Sequence, residues 1–271
     1  MAGGPIELVV TDLDGTLWGV AHAVHPRTRH AIDELARRDV GLLAATARRP
    51  GGARRLLAAN DLRLPAVLLD GALARDTDWT TIHADWFDST TAAAVLDTFC
   101  THGLEPCVGV LAADDVDARL GPQPSTHPDH VSYLADWSIR ADLDEVVAIE
   151  TVQSFVVCGL AAAALRPVAA ALEGWAAVTL TWDAQFAAFT ITVRPPGVDK
   201  WRGVQAYCTR YGIDEGAVLA VGDGLNDIEL LQAATIGCVV EGSDARVVAA
   251  ADHVVGPPQS GGWADLLDHL R

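Results

Sequence analysis

Ile6-Glu-Leu-Val-Val-Thr11 runs straight into Asp12-Leu-Asp14-Gly15-Thr16, and this junction decides the fold. A short β-branched run that ends in carboxylates reads as a buried parallel strand with its polar residues at the carboxyl end. In an open α/β sheet that end faces the ligand crevice. Outward from it, Pro26 suits the first position of a helix with Ala31, Ile32, Leu35 and Ala36 on one face and Gly41 as its stop. Gly41-Leu-Leu-Ala-Ala45 is a second strand, Gly51 to Asn60 a helix and Ala66-Val-Leu-Leu69 a third strand, which gives β-α-β-α-β.

The last third repeats this logic. Asp199 caps a helix with Trp201, Val204, Cys208 and Tyr211 on one side and Gly212 as its stop. Ala217 to Val221, Ile236 to Val240 and His253 to Val255 read as strands, separated by helices over Leu225 to Ala234 and Asp244 to Ala250 and followed by a closing helix over Trp263 to Leu270. The middle departs from the alternation. It holds helices at Ser89 to Phe99 and Ala161 to Leu172, strands near Pro106 to Leu111 and Gln153 to Cys158, and a loop-rich stretch with Pro122, Pro124 and Pro128. Ala177 to Trp182 and Ala187 to Val193, joined by Asp183-Ala-Gln-Phe, form a hairpin. The expected fold is α/β: a doubly wound, Rossmann-like parallel sheet core over 1–81 and 194–271 with an inserted α+β domain over 82–193. Arg194-Pro-Pro-Gly197 is the return linker, and Trp86, Trp137, Trp175 and Trp182 mostly fill the core of the insert.

Composition narrows the function. Of 271 residues half are apolar and 20% charged, so the chain folds, and its net charge of −17 repels nucleic acid and anionic lipid. The five cysteines form no C-x-x-C pair and read as reduced, mostly buried thiols. The amino terminus lacks the basic region of a signal peptide, and the longest apolar stretch, Phe155 to Leu165, falls short of the ~18 residues of a membrane span, so a cytoplasmic location is expected.

The chemistry lies in two acidic clusters. The Gly15 turn lets Asp12 and Asp14 approach one bound group, although Asp, Gly and Thr are also ordinary turn formers. Gly222-Asp223-Gly224-Leu225-Asn226-Asp227 follows another strand and opens another helix, and it is neither a dinucleotide fingerprint nor a Walker loop. If the two strand ends adjoin, Asp12, Asp14, Asp223 and Asp227 converge and need a compensating cation, for which oxygen ligands favour Mg²⁺. Thr46 ends the second strand, where its hydroxyl and nearby N–H groups suit a phosphoryl oxygen. Lys200 sits in the first turn of a helix, against the macrodipole, and so calls for an anionic partner. His22 and His25 lack any paired metal-ligand spacing and read as loop histidines near the site entrance.

Taken together these residues resemble the haloacid dehalogenase superfamily of phosphohydrolases, in the sugar-phosphatase-like Cof-type branch with a large cap. Asp12 and Asp14 match its D-x-D-G-T motif, Thr46 the second motif, Lys200 the third, and Asp223 with Asp227 the G-D-G-x-N-D fourth. The branch usually reads T-G-R and N-G-A where this chain has Thr46-Ala47-Arg48 and Asp70-Gly71-Ala72. Asp70 either selects a cationic or hydroxyl-rich leaving group or points away. The resemblance implies a Mg²⁺-dependent phosphatase acting on a small phosphorylated metabolite, with a cap that excludes water and sets specificity. Asp12 is then the nucleophile and Asp14 the acid and base. Asp12, the Asp14 carbonyl, Asp223 and Asp227 hold the metal, while Thr46, Ala47, Arg48, Asp70, Gly71, Lys200 and Asn226 bind substrate. The leaving group is expected against His127 to Trp137 and Trp182 to Phe186. A phosphomutase or phosphotransferase and a non-catalytic phospholigand-binding regulator are the rivals on this fold, with a monomer or homodimer as the assembly.

Overall fold

A computed structural model describes residues 4–183 and 186–270. The chain forms two compact units, Met1–His83 with Asp199–Arg271, and Ala84–Val198.

In the first unit β1 (Leu8–Thr11) is buried throughout and leads into Asp12. Helix α1 (Pro26–Arg37) starts at His25, whose Nδ1 accepts the Arg27 N–H at 3.1 Å. It stops earlier than the sequence suggests, because Asp39 takes a left-handed φ of 58° and Gly41 instead opens β2 (Gly41–Ala45). Then come α2 (Pro50–Ala59), β3 (Ala66–Leu68), β4 (Leu73–Arg75) and β5 (Thr81–Ala84).

The insert contributes α3 (Ser89–Thr101), β6 (Cys107–Val110), β7 (Ala118–Leu120), α4 (Pro128–Tyr133), β8 (Ser138–Arg140) and α5 (Leu143–Ile149). It continues with β9 (Val152–Leu160), α6 (Ala162–Leu172), β10 (Ala177–Asp183) and β11 (Ala188–Arg194). The first unit resumes with α7 (Lys200–Tyr211), β12 (Val218–Gly222), α8 (Ile228–Ala233), β13 (Ile236–Val240), α9 (Ala245–Val248) and β14 (His253–Val255).

The central sheet has the order β14-β13-β12-β1-β2-β3-β4-β5. From β14 to β3 neighbouring strands are parallel, and the chain winds outward in opposite directions from β1, which is the doubly wound arrangement. At one edge the sheet gains an antiparallel strand, where β4 returns beside β3. The closing helix is also corrected, since Gly262–His269 winds as a 3₁₀ helix behind the left-handed Gly261.

The insert carries a second sheet, β10-β11-β9-β6-β7-β8, antiparallel except for the β7 and β8 pair. Strands β10 and β11 pair as the expected hairpin, of whose connecting segment residues 184 and 185 lie outside the described residues. Three further readings change here. Pro122 and Pro124 lie in a loop as read, whereas Pro128 stands in the first turn of α4, where its missing N–H costs nothing. Arg194, assigned to the linker, ends β11 and is buried. The tryptophans are not the core: Trp86 and Trp182 are 55% and 59% exposed and Trp137 and Trp175 only partly buried. Phenylalanines take their place, with Phe155 stacked on Phe99 at 6.2 Å and edge-on to Phe87 at 5.5 Å. Four of the five cysteines are buried as expected and Cys100 is exposed. Among the described residues no helix is long and apolar enough to cross a membrane.

This core assignment has a direct check. In urea unfolding Phe155→Ala should cost about 3–5 kcal/mol, the usual loss for a fully buried aromatic ring. Trp182→Ala should cost no more than about 1 kcal/mol, and equal losses would return the tryptophans to the core.

Candidate active site

The site is built where the winding of the central sheet reverses, between β1 and β12. The Asp12 N–H donates to the Val221 carbonyl at 2.9 Å, so the residues that follow the two strands are held side by side. Between them the chain must turn tightly. Gly15 adopts φ 90°, and a Cβ there would collide with the Asp223 carboxylate, so this position admits only glycine. The next residue, Thr16, donates from Oγ1 to Asp223 Oδ1 at 2.7 Å. The reading of the motif left Thr16 without a role; its signal was its place directly after the turn glycine.

Lys200 is the chain's single lysine, and its side chain is fully buried. Its Nζ donates to Asp12 Oδ1 and to Asp227 Oδ1, both at 2.6 Å. Burial works against its charge, but Asp12, Asp227 and Asp70 outweigh burial and hold its pKa above the ordinary lysine value. The anionic partner that a lysine in a first helical turn requires is therefore a pair of carboxylates. Asp227 also braces its own loop: Oδ2 accepts the N–H groups of Asp223 at 3.0 Å and Gly224 at 2.8 Å.

Asp12 and Asp14 occupy opposite environments. Burial pushes the Asp12 carboxyl well above its ordinary value, Lys200 opposes this, and the neighbouring Asp227, Asp223 and Asp14 reinforce it. For Asp14 burial is overridden by Arg48, which lowers its pKa. Arg48 Nε and Nη2 reach the two Asp14 oxygens at 2.5 and 2.7 Å, and Trp18 Nε1 donates to Oδ1 at 3.0 Å. His22 lies 3.5 Å from the same carboxylate and 3.1 Å from Arg48 Nη2, so one of the two loop histidines belongs to the site while His25 caps α1. Neither Trp18 nor the pairing across 34 residues carried a local signal.

Asp70 is 2% exposed and held at φ 50°, with Oδ1 accepting from Asn226 Nδ2 at 2.7 Å. Its carboxylate is directed to Asn226 of the fourth motif and contributes to the charge felt by Lys200. Gly71 beside it has φ 108°, and a Cβ there would strike the Asp199 carbonyl, so the backbone fits closely under the start of α7. Thr46 is buried at the end of β2, with Oγ1 accepting the Arg48 N–H at 3.2 Å, whereas Ala47 is exposed.

Oxygen atoms of Asp12, Asp223 and Asp227 lie within 4.8 Å of one another. Burial, with Asp227 nearby, pushes Asp223 up to about 6 despite the Thr16 hydrogen bond. Three close carboxylates with Asp70 behind them exceed what one ammonium neutralises, and an all-oxygen donor set suits a hard divalent cation. The Asp14 side chain is turned to Arg48 and lies outside this cluster. Within the insert, the two segments expected to contact a leaving group meet each other: the His127 ring is 5.0 Å and the His130 ring 6.3 Å from Phe186.

Known proteins resemble the chain to different extents. Over 273 aligned residues it is 23% identical to "Endoribonuclease YBEY, chloroplastic" of Arabidopsis thaliana, covering 96% of this chain and 45% of that protein. It is 38% identical over 75 residues to the 5-amino-6-(5-phospho-D-ribitylamino)uracil phosphatase YbjI of Escherichia coli, 28% of either chain. The chain thus spans less than half the length of these curated relatives. Among solved structures, the HAD subclass IIB sugar phosphatase BT4131 superposes with a TM-score of 0.77 at 19% identity over 97% of this chain and 98% of that one, a likeness of fold. The family model for haloacid dehalogenase-like hydrolases matches residues 9–267, nearly the full length and both acidic clusters, and the chain belongs to that family.

Proposed function

We propose that this chain is a Mg²⁺-dependent phosphatase that hydrolyses a small phosphorylated metabolite, a sugar phosphate or similar phosphomonoester, through an aspartyl phosphate on Asp12. The observation that carries the reading is the buried Asp12 carboxylate, fixed 2.6 Å from Lys200 at the reversal of the sheet. The printed names of the Escherichia coli relative and the superposed structure, both phosphatases, support it.

In this reading Asp12 attacks phosphorus, the bond to the leaving oxygen breaks, and Asp14 delivers a proton to that oxygen. Water then attacks the aspartyl phosphate, gives its proton to Asp14, and inorganic phosphate leaves with Asp12 restored. Lys200 balances charge on Asp12 and the phosphoryl group, and Thr46 with its neighbouring N–H groups receives a phosphoryl oxygen. Asp12, Asp223 and Asp227, with the Asp14 carbonyl, would hold the metal, which when bound would neutralise phosphoryl oxygens. The Arg48 fork keeps Asp14 ionised while no substrate is present. An incoming phosphate competes for that guanidinium, and Asp14, no longer held ionised, takes up from solvent the proton that it delivers to the leaving oxygen. Asp70 and Asn226 keep the loop of Asp223 and Asp227 in place.

Phosphate release measured across a panel of phosphorylated metabolites is the decisive experiment. Asp12→Asn should abolish release with the circular dichroism spectrum unchanged, because the amide matches the carboxylate in shape and cannot act as nucleophile. Turnover within roughly tenfold of the wild type would remove Asp12 from that role.

The two halves of the electrostatic machinery separate in a Mg²⁺ titration. Asp223→Asn weakens the ion, so part of its activity should return at high Mg²⁺, and the rise in melting temperature that Mg²⁺ gives the wild type should shrink. Lys200→Ala removes a cation that metal cannot replace, and its loss of roughly 10²-fold or more should persist at saturating Mg²⁺. Rescue of Lys200→Ala but not of Asp223→Asn would reverse the two roles.

A further inference from the structure

The central sheet carries a second concavity at the end opposite Asp12. Strand β4 runs antiparallel to β3 and pairs Arg75 with Ala66. The turn after β4 therefore returns beside the residues that enter β3, whereas Asp12 follows the far end of β1. Between this turn and α2 lies a cavity of about 390 Å³, lined by Arg54, Leu57, Leu62, Arg63, Thr77 and Trp79 among others. Its size is that of a small-molecule site.

Three features distinguish it from an ordinary surface dimple. Its floor is apolar, with Leu57 and Leu62 buried. Trp79 is held at φ 71°, where a bulky side chain is an outlier, by its N–H to the Asp76 carbonyl at 2.9 Å and by Arg75 Nη1 on its own carbonyl at 3.0 Å. Backbone strain of this kind persists only where the surrounding structure fixes it, and here it sets the indole in the wall of the cavity.

The third feature is charge. The Arg54 guanidinium lies 5.9 Å from the centre of the Trp79 ring. Arg63 is exposed and engages no hydrogen bond or ion pair among the described residues. The acid in the lining, Asp78, accepts at Oδ1 from the N–H and the hydroxyl of Thr80, at 3.0 and 2.7 Å. In a chain of net charge −17, two guanidinium groups beside an indole form a local exception.

We propose that this cavity binds a planar aromatic anion, with its ring against Trp79 and the leucine floor and its acid group on Arg63. The site lies at the opposite end of the sheet from Asp12, so its ligand is distinct from whatever is turned over there.

Isothermal titration of the full chain with 2-naphthoate tests this, with cyclohexanecarboxylate as an anion that lacks the ring. The expected result is saturable one-to-one binding of 2-naphthoate. Affinity should fall roughly tenfold or more for cyclohexanecarboxylate, for Arg63→Ala and for Trp79→Gly. Glycine suits φ 71°, so that last variant retains the turn. Asp12→Asn should bind as the wild type does. Absence of saturable binding, equal affinity in wild type and Arg63→Ala, or loss of binding in Asp12→Asn would each overturn the proposal.

Discussion

A lysine ammonium locked between Asp12 and Asp227, out of reach of water, is the constraint on which the rest of the site depends. Taking one cation and two anions out of solvent is expensive, and only close geometry with every donor and acceptor used offsets it. The chain meets that demand from three separate places. Strand β1 delivers Asp12, the loop after β12 delivers Asp227, and Asp199 starts α7 so that Lys200 enters in its first turn. Removing any one partner leaves the others charged and buried, which costs far more than the intact arrangement contributes. This is why the Gly71 and Asp199 backbones fit so closely: α7 has to start at one depth and no other.

The same neighbourhood drives two carboxylates, two residues apart, to opposite behaviour. Asp12 is buried among other acids and resists ionisation, while Asp14, turned outward to Arg48 and Trp18, holds its charge readily. For the roles proposed above these acid strengths must change places when substrate binds: Lys200 and a bound cation keep Asp12 ionised as nucleophile, and loss of Arg48 to the phosphate lets Asp14 carry a proton. The Gly15 turn produces the divergence, since a strand continued past Asp12 would face the two residues to opposite sides of the sheet.

Much of this was legible in the sequence because buried parallel strands read as apolar runs and catalytic residues of α/β sheets gather at their ends. Strands β13 and β14 fall where the pattern puts them, and Asp12, Asp223, Asp227 and Lys200 each sit at a strand end or a helix start. What stayed hidden depends on tertiary choice. Prolines 122 to 128 read as loop, although one of them opens α4. The size of tryptophan suggested a core, yet phenylalanines between β9 and α3 fill it and two tryptophans lie open. The pairing of Arg48 with Asp14 and of Asp70 with Asn226 links positions 34 and 156 residues apart, and no local spacing encodes either.

The identity of that buried cation has a consequence for the whole surface. Apart from nine histidines every other basic side chain is arginine, 18 in all, so the permanent positive charge that meets solvent is guanidinium and the sole ε-amine lies inside. Guanidinium stays protonated over the whole accessible pH range and does not accept acyl or ubiquityl groups as lysine does. Chemistry directed at lysine therefore has one target in this chain, and it becomes reachable only when the sheet junction opens, which makes Lys200 an internal reporter of the integrity of the site.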